Sequence, residues 1–202
     1  MSRVAGHRGT HGSVTGRPRI DAQLKVALTE PTSYRHLQPI VAESEKLMEF
    51  GSIEREIHVA ASPEVVFEVI SSPEHIREWW NGAETDLSPT PGAVSEVAWN
   101  RGGPDAQVQP ITVVDAVPPR LFSFRWVHDE GEDVATSTKS LLVTFELVPS
   151  GDGTLLRMTE TGFREKGWEV AVLEEAYADH VRGWDVFVPN IAAYAAGLVS
   201  TP

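Results

Sequence analysis

The sequence predicts an α+β fold: a curved antiparallel sheet laid against one long C-terminal helix, with two short helices after the first strand. Three observations carry this. Strand-like runs broken by turn residues succeed one another between positions 92 and 163. Two short segments earlier in the chain carry the same helix-start signal, and the only long helical stretch lies at the C-terminal end, with a single apolar stripe. A meander of hairpins needs a cover for its apolar face, and that stripe supplies one.

The elements follow in order. "SIEREIHVA" (52–60) sets Ile53, Ile57 and Val59 on one side of a strand, with Arg55 in phase among them. "SPE" then occurs at 62–64 and again at 72–74. Ser caps, Pro takes the first helical position where its missing N–H costs nothing, and Glu meets the positive helix end. Helices over about 63–70 and 73–80 follow, and Gly82 ends the second. Ile76 and Trp80 stand four apart and are expected to pack together. Helical neighbours point about 100° apart, so Trp79 is expected to turn toward the mouth of the domain as a lid or rim.

Strand-like runs occupy 92–99, 108–117, 120–128, 139–148 and 154–163. In the third, Phe122, Phe124 and Trp126 alternate with Ser123 and Arg125, and "PSGDG" between the last two is a hairpin signal. The long helix is expected over 165–197, with Tyr177, Val181, Trp184, Val188, Ile191 and Ala195 as its stripe.

Composition divides the chain. Up to Leu47 there are seven Lys/Arg against four Asp/Glu; from Met48 on there are ten against twenty-five, within a total of −12. Residues 1–47 are expected to be a flexible extension or an over-extended start, because the first twenty are rich in Gly and Arg and lack acids and an apolar period. His7 and His11 share metal-ligand spacing, but the glycines around them disfavour a helix. The domain proper is 48–202. Its acidity argues against nucleic-acid binding. The absence of cysteine excludes thiolate chemistry and Cys-based zinc sites. No apolar run approaches the roughly 20 residues of a membrane helix, and a cytoplasmic protein with no cofactor and no metal is expected.

Four stretches, "SPEVVFEVISSPEHIREWW", "PPRLFSFRW", "LVTFELVPSGDGTLLRMTETGF" and "HVRGWDVFVPNIAAYAAG", stand in the order found in a known superfamily. On them the chain resembles the SRPBCC (START, polyketide cyclase and birch-pollen-allergen) superfamily, in the branch of homologues of the heat-shock-protein ATPase activator. The resemblance covers roughly 52–197. It implies a helix-grip fold, a sheet wrapped around the C-terminal helix over a hydrophobic cavity, and it implies little about activity.

Candidate polar residues are few. Glu160 shares strand parity with Leu156 and Met158, so it points inward, where Arg55 would be its partner. The favoured alternative is a rim position reaching water, since parity near a strand end is often relaxed by bulges. His180 lies one turn before Trp184 and is a candidate acid or base, although a packing histidine is the commoner arrangement. Gly183 either lets the sheet approach or leaves room for a ligand. The expected ligand-facing set is Trp79, Trp99, Phe124, Trp126, Met158, Glu160, His180, Trp184 and Val188. For the tryptophans the simpler alternative is a role in the core.

No GxSxG, HExxH or phosphate-cradling glycine loop is present in the domain. The sequence therefore ranks binding of a small hydrophobic molecule first. A co-chaperone or stress-response interaction module with a protein partner is second. A cyclase- or hydrolase-type enzyme using Glu160, His180 or Arg55 is third.

Overall fold

The computed structural model describes residues 50–129, 131–135 and 138–200; the expectations for residues 1–47, His7 and His11 included, lie outside them. Among the described residues, seven strands form one antiparallel sheet in the order β1-β7-β6-β5-β4-β3-β2. The strands are β1 (Ser52–Val59), β2 (Glu84–Thr85), β3 (Val94–Trp99), β4 (Gln107–Val117), β5 (Leu121–Trp126), β6 (Leu141–Ser150) and β7 (Gly153–Thr161). Strands β2 to β7 are a meander of hairpins, and β1 closes the far edge by pairing with β7. Helices α1 (Pro63–Ser71) and α2 (Pro73–Trp79) bridge β1 to β2, and α3 (Val170–Ser200) crosses the inner face against β1, α1 and α2.

Alternation decides which face is the core. Leu141, Val143, Phe145 and Leu147 of β6 point inward, as do Leu156, Met158 and Glu160 of β7. Burying each of the apolar ones contributes on the order of 1.5–3 kcal/mol. The β6–β7 turn is a two-residue loop, Gly151-Asp152, with Gly151 at φ 61°. Just beyond it, a Cβ on Gly153 would lie 2.2 Å from the Val59 carbonyl oxygen, so only glycine lets β1 and β7 meet there. In β4 the register slips between Val113 and Asp115, a bulge that bends the strand.

Several boundaries differ from the sequence expectation by a few residues, two of them for a visible reason, and one short strand was not expected. Strand β5 ends at Trp126 instead of 128, because Val127 has φ 55°. Helix α3 begins at Val170 instead of 165, because Gly167 has φ 66° and Lys166 serves a loop. The two-residue β2 has no periodic signal to find.

The tryptophan pair also differs. Trp79 and Trp80 are both buried, and their rings stack with centroids 5.3 Å apart and planes 4° apart. The 100° rule fails because α2 ends at Trp79: Trp80 has left helical geometry at φ −104° and ψ 51°, and Asn81 and Gly82 reverse the chain. Trp79 is no lid. Its Nε1 donates to the Val69 carbonyl at 2.9 Å, joining α2 to α1.

Candidate functional site

On the inner face, one residue from the end of β7, stands a carboxylate. Glu160 sits on β7 opposite Ile53 of β1 and Val143 of β6, and it is fully buried, so the rim reading is corrected. Burying such a group is costly unless hydrogen bonds replace its water. Here they do. Trp126 Nε1 of β5 donates to Oε1 at 2.8 Å, and Trp184 Nε1 of α3 donates to Oε2 at 2.7 Å. His180, one helical turn before Trp184, brings Nδ1 to 3.0 Å from Oε1 and 2.9 Å from Oε2.

For a neutral imidazole beside an ionised Glu160, that arrangement sets the histidine tautomer. Indole N–H groups only donate, so both Glu160 oxygens act as acceptors toward Trp126 and Trp184. The proton shared with His180 then belongs on Nδ1, which leaves Nε2 with a free lone pair. Among the described residues Nε2 has no partner, yet it is not sealed off as the buried ring nitrogens of His128 are. The imidazole is held between Trp126, 5.1 Å away, and Phe163, 5.4 Å away edge-on.

His180 borders a narrow slot whose other walls are Trp80, Trp126, Gly183, Trp184 and Phe187. About 10 Å³ of it admits the centre of a water-sized sphere, which is room for roughly one water. The spacious cavity expected from the resemblance is therefore corrected: aromatic rings occupy the interior. Trp80 is in ring contact with Trp79, Trp99, Phe124 and Trp126 at once. Sites for drug-sized ligands run to roughly 300–1,000 Å³, so a guest larger than water enters only if a wall moves. Phe187 is the half-buried wall, and Gly183 beside it carries no side chain.

The expected residues divide into two groups. Trp126, His180 and Trp184 line the slot, with Glu160 bonded behind them. Trp79, Trp99, Phe124, Met158 and Val188 are buried in the core away from it. Trp99 Nε1 donates to the Trp80 carbonyl at 3.1 Å, which holds the turn after α2. Arg55 does not reach Glu160. Its parity is inward, but from the edge strand its Nε donates to Asp185 Oδ1 at 2.8 Å, clasping β1 to α3. Trp80 and Phe187 were not expected to line a site. Phe187 was within reach of the sequence, since it falls four residues after Gly183 and seven after His180 on one helical face.

A second hollow, of about 600 Å³, is a shallow groove open to solvent between α2 and the end of α3, bordered by Glu78, Asn190 and Tyr194. Two of its polar atoms are engaged elsewhere: Asn190 Nδ2 approaches the Trp79 carbonyl at 3.5 Å and Tyr194 Oη meets His75 Nδ1 at 2.9 Å. Among the described residues no three His, Cys, Asp or Glu gather closely enough to hold a metal ion, and no helix is long and apolar enough to cross a membrane.

Comparison with known proteins gives the fold and the family. No curated protein sequence matches the chain. Protein MLL2253 from Mesorhizobium loti is similar at 26% identity and TM-score 0.58, over 75% of this chain and 98% of that one. The Aha1 dimer from Colwellia psychrerythraea, solved in solution, is similar at 16% identity and TM-score 0.53, over 72% and 96% of the two chains. DynU16, a putative protein in the dynemicin biosynthetic locus, is similar at 20% identity and TM-score 0.52, over 71% of this chain and 46% of its own. The model of the Activator of Hsp90 ATPase homolog 1-like proteins matches residues 60–196, from the end of β1 to the last turns of α3. By that match and by its sheet folded around one long helix, the chain belongs to this family, within the SRPBCC superfamily.

Proposed function

We propose that the chain binds a small, largely apolar molecule in the slot between α3 and the sheet. The observation that carries this is His180 Nε2. A histidine whose ring nitrogen opens on a slot can take a water or a ligand there. This one is oriented by a carboxylate at 2.9 Å and leaves its second nitrogen unpartnered on a wall otherwise made of rings. Trp80, Trp126, Trp184 and Phe187 offer large apolar area to a flat guest, and rotation of Phe187 is the entry step.

The test is a titration of the full chain with toluene, following the indole N–H signals of Trp126 and Trp184 by NMR. Saturable shifts at millimolar toluene are expected, and Gly183→Leu, whose side chain overfills the slot, is expected to abolish them at a cost of about 1–3 kcal/mol in stability. Toluene that shifts nothing, or shifts the variant equally, overturns the proposal.

A second reading is favoured by one observation: two of the three candidate catalytic groups, Glu160 and His180, do converge. In that reading Nε2 withdraws a proton from the bound molecule as a general base. Chemical turnover of a bound compound, lost in His180→Asn, would distinguish it from binding alone. The co-chaperone reading rests on the family's description, and partner capture that survives Gly183→Leu would support it instead.

A further inference from the structure

We infer that the slot selects molecules that bring one hydroxyl hydrogen to His180 Nε2, a phenol above all, over carboxylates, ammonium ions and guests without a donor. This rests on the binding role just proposed and narrows it to a ligand class.

The selection follows from counting polar atoms on the wall. Trp126 and Trp184 aim their N–H groups away from the guest, at Glu160. Trp80, Gly183 and Phe187 present no acceptor from their side chains. What remains is a single acceptor, Nε2, whose lone pair is exposed because Nδ1 faces the carboxylate. One acceptor matches one donor, and a hydroxyl has one.

The other polar groups fail by charge or by number. A carboxylate guest would bring a second negative charge toward Glu160. No cation lines the slot to receive it, and Arg55 is engaged with Asp185. An ammonium carries three donors, and two of them would be stranded among rings without an acceptor. A phenol satisfies Nε2, lays its ring against indoles that already form an inclined set, and keeps a neutral charge.

Phenol, anisole, benzoate, benzylamine and toluene are titrated into the full-length protein, with the Trp126 and Trp184 indole N–H signals as readout. Phenol is expected to bind more tightly than anisole, its methyl ether, by roughly fivefold, the worth of one net hydrogen bond. Benzoate and benzylamine are expected to be weaker still. In His180→Asn, whose amide keeps a donor near Glu160 and removes Nε2, phenol is expected to lose its advantage over anisole. The comparison of probes on the unaltered chain needs no variant to fold. Anisole or toluene matching phenol overturns the inference and leaves the slot as a plain apolar site. Benzoate or benzylamine exceeding phenol overturns it in favour of a charged ligand. If no probe binds, toluene included, the slot proposal falls first and this one with it.

Discussion

At Glu160, one side chain gathers donors from a strand and a helix: Trp126 is 34 residues away in sequence, His180 is 20 and Trp184 is 24. Its inward parity is legible in "TLLRMTET", but its depth is not, because every partner arrives by tertiary packing. The same limit misled the reading of Arg55, whose phase was right and whose reach from an edge strand was wrong. Glu160→Gln turns an amide N–H₂ toward one of the indole donors, and a donor facing a donor strands a buried group. The expected loss is about 3 kcal/mol in urea denaturation. Trp184→Phe removes one donor and leaves two; its expected loss is about 2 kcal/mol. Because both changes strike one bond, the double variant is expected to lose less than their sum, and additive losses would show that the bond contributes little.

Elements were legible where a local signal existed and drifted where a distant contact overrode it. The twin Ser-Pro-Glu starts of α1 and α2, the alternation of β5 to β7 and the α3 stripe are all present as the sequence implies. Helix α3 starts late because Lys166 is used by another element. Its buried Nζ donates to the Val127 carbonyl at 3.0 Å, the Lys139 carbonyl at 3.0 Å and Asp129 Oδ1 at 2.5 Å, and it stands 5.2 Å over the Trp168 ring. One ammonium thus ties both ends of the β5–β6 connection. Lys166→Met is expected to cost about 2 kcal/mol. It is also expected to speed hydrogen exchange at the Glu132 and Ala135 amides, which are bonded within that connection, well beyond any change in β7. Uniform acceleration across the sheet would show that the lysine has no local role.

For the whole molecule, the cavity was the expectation that failed. A sheet curled around a helix predicts an interior space, but the number and size of the rings decide whether it stays empty, and here five tryptophans and several phenylalanines fill it. Strand order was legible for the hairpins; the β1–β7 closure was not, since no turn joins those strands. The fold is also expected to weaken on mild acidification. Burial holds His128 below its ordinary value of 6.5, and both its ring nitrogens are buried without partners. The unfolded chain then binds more protons than the folded one. This contribution is complete above the unfolded value and is lost as pH falls through and below 6.5. His128→Asn, which cannot take up the proton, is expected to reduce the drop in melting temperature between pH 7 and pH 5.5; an unchanged drop would remove His128 as its source.

The phenol preference depends on which nitrogen of His180 carries the proton. Long-range ¹H–¹⁵N NMR of the full chain at pH 8 reads this directly. A protonated Nδ1 with a bare Nε2 is the expected result, and a bare Nδ1 with its proton on Nε2 would contradict it.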